Sequence, residues 1–406
     1  MKVLIADKFQ ASGIDALEQL KYTVVSEPDA SPDTLTDLVS NHDPDVLIVR
    51  STKVPGKVFD AAKKLSLVVR AGAGYDNIDV EAASRNGISV ANCPGKNAIA
   101  VAELAWGLIL AADRDLPNQT ADLKAGAWNK KTYAKKARGL FGATLGVIGI
   151  GHIGEEVIKR AHSFGMPVVA WSRSLDDRKA KALGVQRAAS PADVAKQADV
   201  VSVHVAQTPD TAGMIDADFI ASMKPGATLV NTARGGVVDQ AAVADAVKAG
   251  TIRYAADVYH NQPAPTDAEC GDHIKNLANL DGFVGTHHCG ASTEQAQEAT
   301  AAEAVRIIET YDKTGAILHI VNRQAQSRAT RLLVVRHLNK AGVLAHVIGK
   351  LGEAQINIEE MENVIFQNAE AACAKIQLDD EPSQNTMDKI RSGNPNVLSV
   401  DLTVIK

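Results

Sequence analysis

Cysteine is scarce in this chain. Four in 406 residues are too few for a disulfide scaffold. Cys93, Cys270, Cys289 and Cys373 form no CxxC pair or other metal-ligand spacing, so no metal site is expected and a reducing compartment, the cytoplasm, fits. Positive charge is not in excess either. The formal net charge of −5 argues against wholesale attraction to nucleic acid or to a membrane surface. Long apolar runs are missing, and no segment approaches the roughly 20 residues of a membrane span. The start, Met1-Lys2-Val3-Leu4-Ile5-Ala6-Asp7, reads as a strand rather than as the apolar core of a signal peptide. Internal repeats and low-complexity stretches are also lacking. What remains is an ordinary globular composition, 46% hydrophobic and 22% charged, with length for two or three domains.

The most informative segment that is present lies mid-chain: Gly149-Ile150-Gly151-His152-Ile153-Gly154. It follows the apolar run Leu145–Ile148, opens a helical pattern (Glu155 to Phe164) and precedes a second apolar run, Val168–Trp171. In that strand–turn–helix–strand setting GxGxxG binds a dinucleotide. The first Gly makes the turn, the second admits the pyrophosphate, and the third lets helix and strand pack. The free N–H groups of the helix start face the phosphates. The mid-chain position implies a nucleotide domain inserted into another domain.

Residues 1–97 alternate apolar runs (Val3–Ala6, Tyr22–Ser26, Val46–Val49, Leu67–Val69, Ser89–Ala91) with amphipathic stretches, the pattern of a parallel α/β unit. A helix over Ala98–Ala112 leads into the insert, whose later strands are expected at Val200–Val205, Thr228–Thr232 and Tyr254–Val258. A long helix, Ser292–Thr314, should cross back to the first domain, and 325–330 is a polar linker. The tail reads β-α-β-β-α-β, the ferredoxin-like split. The expected fold is therefore α/β. A Rossmann domain (98–288) sits within a flavodoxin-like substrate domain (1–97 and 289–324), both doubly wound parallel sheets, and a small βαββαβ domain (331–406) follows.

Three polar clusters stand at predicted strand ends, where ligands bind in such sheets: Asn231-Thr232-Ala233-Arg234-Gly235-Gly236, Ala256-Asp257-Val258 and Thr286-His287-His288-Cys289-Gly290. With Arg70-Ala71-Gly72-Ala73-Gly74-Tyr75-Asp76-Asn77-Ile78-Asp79 and Asn92-Cys93-Pro94-Gly95-Lys96-Asn97, they give residues 1–320 a resemblance to the D-isomer-specific 2-hydroxyacid dehydrogenases. That resemblance implies hydride transfer from C2 of a hydroxy acid to NAD. His288 would be the base, a task suited to imidazole near neutral pH. Arg234 would grip the carboxylate and polarise the C2 oxygen. It places Gly149, Gly151, His152, Ile153, Gly154, Thr232, Ala233 and Gly290 at the cofactor, with Asp257 at the nicotinamide end. Gly72, Ala73, Gly74 and Asn97 fall at the substrate. His287 stands where many relatives have proline.

Two departures follow. Where the family orients its histidine with a glutamate before a proline, this chain has Gln262-Pro263, within Asn261-Gln262-Pro263-Ala264-Pro265. A glutamine can hydrogen-bond imidazole but cannot neutralise imidazolium, so a lower His288 pKa is expected. The run also resembles formate dehydrogenases of the same superfamily. At the ribose site an acid is expected roughly 20 residues past the glycines; Ser172 and Arg173 stand there instead, so NADP is expected to be accepted alongside NAD.

Basic residues bear on substrate choice. Arg50-Ser51-Thr52 and Trp128-Asn129-Lys130-Lys131 resemble elements of the 3-phosphoglycerate dehydrogenase subfamily that flank its active site, which assigns Arg50, Ser51, Lys130 and Lys131 to a phosphorylated substrate. The tail resembles an ACT regulatory domain, with His337, Asn339 and Asn357 matching its serine-effector positions. The resemblance thus implies oxidation of D-3-phosphoglycerate at the entry to L-serine synthesis. It further implies a homodimer or homotetramer and L-serine as effector. A glyoxylate or hydroxypyruvate reductase and a corepressor-like NAD(H) sensor are the competing expectations.

Overall fold

A computed structural model describes residues 1–263, 269–324 and 326–405. The chain divides into two compact units, Met1–Asn322 and Arg323–Lys406.

In the first unit the early apolar runs become five strands: β1 (Lys2–Ile5), β2 (Thr23–Ser26), β3 (Val46–Val49), β4 (Leu67–Arg70) and β5 (Ser89–Asn92). They are parallel and ordered β2-β1-β3-β4-β5, the flavodoxin-like arrangement. Both faces are covered, which is why the strands read as continuous apolar runs. Alternate residues serve two cores. Leu4 and Leu47 face Leu35, Val39, Val58 and Phe59, whereas Val3, Ile5 and Ile48 face Leu17, Ala304, Ile307 and Ile308. The last three belong to the helix Glu294–Thr314, so the chain does return to complete the first core after the second sheet has formed.

The second sheet comprises β6 (Leu145–Ile148), β7 (Val168–Trp171), β8 (Gln186–Arg187), β9 (Val200–Val203), β10 (Thr228–Asn231), β11 (Arg253–Ala256) and β12 (Phe283–Gly285). Its parallel order is β12-β11-β10-β9-β6-β7-β8. The winding reverses between β6 and β9, and ligands bind at the carboxyl ends of strands at such a switch point. The helix Ala98–Arg114 crosses into this lobe. Its small and apolar residues (Ala102, Ala105, Trp106, Ile109) pack in one core with Val147, Val157 and Val230.

The second unit holds β13 (Arg331–Leu338), β14 (Ile358–Ile365), β15 (Ala371–Leu378) and β16 (Val397–Val404) in the antiparallel order β14-β15-β13-β16. Helices Val343–Glu353 and Gln384–Ser392 join them, giving the ferredoxin-like topology.

Element ends differ from the sequence pattern in a few places. The strand expected over Val200–Val205 ends at Val203, although the His204 N–H still donates to the Ile148 carbonyl (2.8 Å). Short helices at Gly56–Ala61 and Val80–Arg85 carry too few turns to show a period. The basic stretch after Arg114 folds into two exposed helices, Leu116–Lys124 and Lys130–Lys136.

Candidate active site

The glycine turn is built as its sequence requires. Gly149 has φ +97°, which favours glycine, and a Cβ there would lie 2.7 Å from the His204 carbonyl. A Cβ on Gly154 would collide with the Gly149 carbonyl. Around a Cβ on Gly151, by contrast, nothing stands within 4 Å, so the helix His152–Ser163 starts beneath open space. Among the described residues, Thr232 Oγ1 is buried without a hydrogen-bond partner. The open cradle, the helix start and the unpaired hydroxyl fit a dinucleotide. The His152 ring packs over Gly95, tying the fingerprint to the Asn92–Asn97 loop. Past β7, the Ser172 carbonyl accepts the Leu175 N–H, and the exposed Arg173 lies 3.4 Å from Asp210.

His204 marks the floor of this turn. Its Nε2 lies 2.8 Å from Ser202 Oγ, its Nδ1 is buried without a partner, and burial pushes its pKa down to about 4, so the ring stays neutral.

Asp257, at the end of β11, organises the histidine loop. Its carbonyl accepts the His288 N–H (2.7 Å), its Oδ1 the Cys289 N–H (2.9 Å) and the Thr286 hydroxyl (2.6 Å), and its Oδ2 the Gly290 N–H (2.9 Å). Placed by sequence at the nicotinamide end, Asp257 spends both carboxylate oxygens on holding that loop. His288 itself has φ +52°, a left-handed backbone that this clamp sustains. Gln262 does reach the imidazole, with Nε2 2.6 Å from Nδ1. Desolvation by the surrounding protein, then the Arg234 charge, lowers the His288 pKa below the ordinary imidazole value. Ala264 and Pro265 of the same run lie outside the described residues.

Arg234 follows β10. The Asn231 carboxamide fixes its turn, donating to the Arg234 carbonyl (3.0 Å) and accepting the Ala233 N–H (3.0 Å). The guanidinium donates to the Ala233 carbonyl (2.8 Å) and, across the cleft, to Asp76 Oδ1 (3.1 Å). Burial opposes ionisation of Asp76, but the Arg234 charge and hydrogen bond outweigh it and hold the carboxyl below its ordinary value. Arg70 lies against Gly72, where any Cβ would collide with its guanidinium. Burial, then the Arg234 charge, pulls its pKa down to about 10, with Arg50 adding to the effect. The Arg50-Ser51-Thr52 turn is held by Asp7, whose Oδ2 accepts all three N–H groups at 2.8 Å. Asn92 ties the glycine turn in place by donating to the Ala73 carbonyl (2.6 Å). Asn97, before the crossing helix, has a buried Oδ1 without a partner among the described residues.

The structure therefore gathers Arg50, the Gly72–Gly74 turn, Arg234 and His288 about one cleft, and adds three residues that the sequence reading left out. Arg70, Asp76 and Asp7 each stand at or just past a first-sheet strand end, and that position was the available signal. Lys130 and Lys131 are not brought to the cleft within the chain. Their helix ends at Lys136, which is anchored to Arg253 and Asp281 at the amino ends of β11 and β12, opposite Asp257 and His288. Nor do His337, Asn339 and Asn357 meet. Buried His337 bonds the Leu338 carbonyl and Asn363, and Asn339 bonds the Ala369 carbonyl, at one end of the antiparallel sheet. Asn357 lies at the other end, against Asp379. Within one chain they form no single effector pocket.

Residues 106–290 match the family described as D-isomer specific 2-hydroxyacid dehydrogenase, NAD binding domain. A D-3-phosphoglycerate dehydrogenase of Methanocaldococcus jannaschii is 37% identical over 380 residues, 93% of this chain and 67% of the relative. A hydroxypyruvate reductase of Thermotoga maritima is 43% identical over 267 residues, 65% of this chain and 83% of the relative. The chain belongs to the D-isomer specific 2-hydroxyacid dehydrogenases. In fold it is similar to the NAD+-bound 3-phosphoglycerate dehydrogenase of Entamoeba histolytica (TM-score 0.65, 26% identity, 80% of this chain and 99% of that one). It spans about two thirds of the archaeal relative's length and 56% of the mycobacterial phosphoglycerate dehydrogenases it matches. Among the described residues no helix is long and apolar enough to cross a membrane.

Proposed function

We propose that the chain oxidises D-3-phosphoglycerate to 3-phosphohydroxypyruvate, the entry to L-serine synthesis, in the cytoplasm. The observation that carries this reading is the convergence of three arginines beside one histidine. A substrate with an anion at each end needs two cationic grips. Arg234, next to His288, takes the carboxylate as a bidentate fork. Arg50 and Arg70, on the first lobe, take the phosphate, and Asp7 keeps the Arg50 turn rigid for it. Bound NAD supplies the hydride acceptor. His288 Nε2 removes the hydroxyl proton, which requires the proton of the neutral ring to sit on Nδ1 and the Gln262 amide to present its oxygen there. As placed, the amide presents its nitrogen, the opposite tautomer's partner; a half-turn of the carboxamide exchanges the two at no steric cost. Arg234 stabilises negative charge developing on the C2 oxygen.

Ser172 and Arg173 stand where an acid after β7 would repel a 2′-phosphate, which supports use of NADP as well as NAD. L-Serine acts through the tail, and the separation of Asn357 from His337 and Asn339 supports a ligand shared between two copies of a homodimer or homotetramer. Lys130 and Lys131 reach a phosphate only if contributed from another copy.

One observation favours a second reading, a hydroxypyruvate or glyoxylate reductase: the relative of that name is matched over most of its length. Turnover of D-3-phosphoglycerate, hydroxypyruvate and glyoxylate with each cofactor tests both. A kcat/KM for the phosphorylated substrate at least tenfold above the others, lost in Arg50→Ala, is expected. Equal or better turnover of glyoxylate selects the reductase.

A further inference from the structure

We propose that Asp76 is an internal stand-in for the substrate carboxylate: it pairs with Arg234 and must be displaced for substrate to bind. The idea rests on the reading of Arg234 as the carboxylate grip. Asp76 comes from the first lobe, in the segment after β4, and Arg234 from the second, after β10, so their ion pair closes across the cleft. The contact, Oδ1 to Nη2 at 3.1 Å, is one a hydroxy-acid carboxylate makes with the same fork.

The surroundings are shaped for this pair. A Cβ on Gly74 would collide with Arg234 Nη2 and lie 2.9 Å from Asp76 Oδ1, so the glycine turn leaves room for the two side chains to meet. The Asp76 side chain is 75% exposed and that of Arg234 32%. A released Asp76 carboxylate can therefore turn out into water. An exposed pair of this kind is weak, weak enough for a ligand with a second anchor to replace.

Asp76 also stands among cations that would otherwise repel one another. Arg234, Arg50 and Asp76 all act on the buried Arg70, the first two against its charge and the third in favour of it. Without that carboxylate the buried Arg70 would face the Arg234 and Arg50 charges with its main offset gone. The stand-in therefore keeps these side chains assembled ahead of binding and sets a threshold for entry. A lone carboxylate competes with Asp76 on nearly equal terms, whereas a substrate whose phosphate is held by Arg50 and Arg70 wins through its second anchor. Asp76 in this sense raises the concentration at which any carboxylate occupies Arg234, a threshold that a substrate with a second anchor still passes.

The test is Asp76→Asn, which keeps size and removes charge, studied in the full chain. The expected result is a fall of about two- to fivefold in KM for D-3-phosphoglycerate, the range an exposed ion pair spans. The inhibition constant of acetate, a monocarboxylate probe without phosphate, should fall by a similar factor, because both ligands displace the same side chain. A KM that is unchanged or raised, or a kcat that falls more than KM does, overturns the proposal and makes Asp76 a structural support. Thermal unfolding of the variant checks that it folds, and Asp76→Ser provides a second variant if it does not. Arg234→Ala separates the two levels of the argument. If it retains turnover, the carboxylate-grip reading fails. If it is inactive while Asp76→Asn leaves both constants unchanged, this inference alone fails.

Discussion

Replacing Gln262 by Glu should move the acidic limb of the pH–rate profile upward. In the native protein the imidazole faces an amide, and both desolvation and the Arg234 charge keep its pKa low. A carboxylate at the amide's place would sit beside Nδ1, about 4 Å from the centre of the ring charge. At an effective dielectric of ~20 that attraction is roughly 4 kcal/mol. The cleft opens to water, so no more than about a third of it should survive, which corresponds to about one pH unit. The sign follows from the chemistry. The base must be unprotonated to accept the hydroxyl proton, so a higher pKa removes active enzyme at acidic pH. The native kcat/KM should hold to lower pH than that of the variant. In the reduction direction, where imidazolium donates, the same shift should extend activity to higher pH. Steady-state profiles in both directions, with His288 followed by NMR titration, measure it. An unmoved or lowered limb in Gln262→Glu would refute the argument that the missing carboxylate keeps this imidazole weakly basic.

Other outcomes follow from the same geometry. Gly154→Ala should abolish NAD binding, measured by nucleotide fluorescence quenching, with modest loss of Tm, because the added methyl meets the Gly149 carbonyl. Asp257→Asn should lower kcat by 10²-fold or more, since an amide cannot accept all the donors of the 286–290 loop that fixes His288; retained kcat would mean the loop holds its shape without that carboxylate. Arg173→Ala should raise KM for NADP several-fold and leave KM for NAD unchanged. Stability should fall as pH drops from about 6.5 towards 4, because the unfolded chain protonates His204 over that window while the folded chain does not. The loss is at most about 3 kcal/mol and is readable in urea titrations, and it should be absent in His204→Gln.

The sheets were legible in the sequence because strands buried on both faces leave unbroken apolar runs, as in Val46–Val49 and Leu145–Ile148. The glycine turn was legible because sterics admit no other residue at Gly149 or Gly154. Roles that depend on where two distant strand ends meet were not. Asp7 looks like any acid after a strand until the N–H groups of residues 50–52 arrive around it. Arg70 and Asp76 sit inside a quoted motif, yet their significance comes from Arg234, contributed from the other lobe. The assignment of Lys130 and Lys131 rests on the resemblance of a short basic element, and such an element says nothing about which end of the sheet its own helix is anchored to.

The late return of the helix Glu294–Thr314 sets an order of assembly. A nascent chain that has reached residue 290 already holds every strand of the second sheet, so that lobe can close while synthesis continues. The first sheet has all its strands far earlier, but Val3, Ile5 and Ile48 lack the cover of Ala304, Ile307 and Ile308. The lobe made first thus finishes last, and truncation before Glu294 leaves half of its core open to water and to other chains.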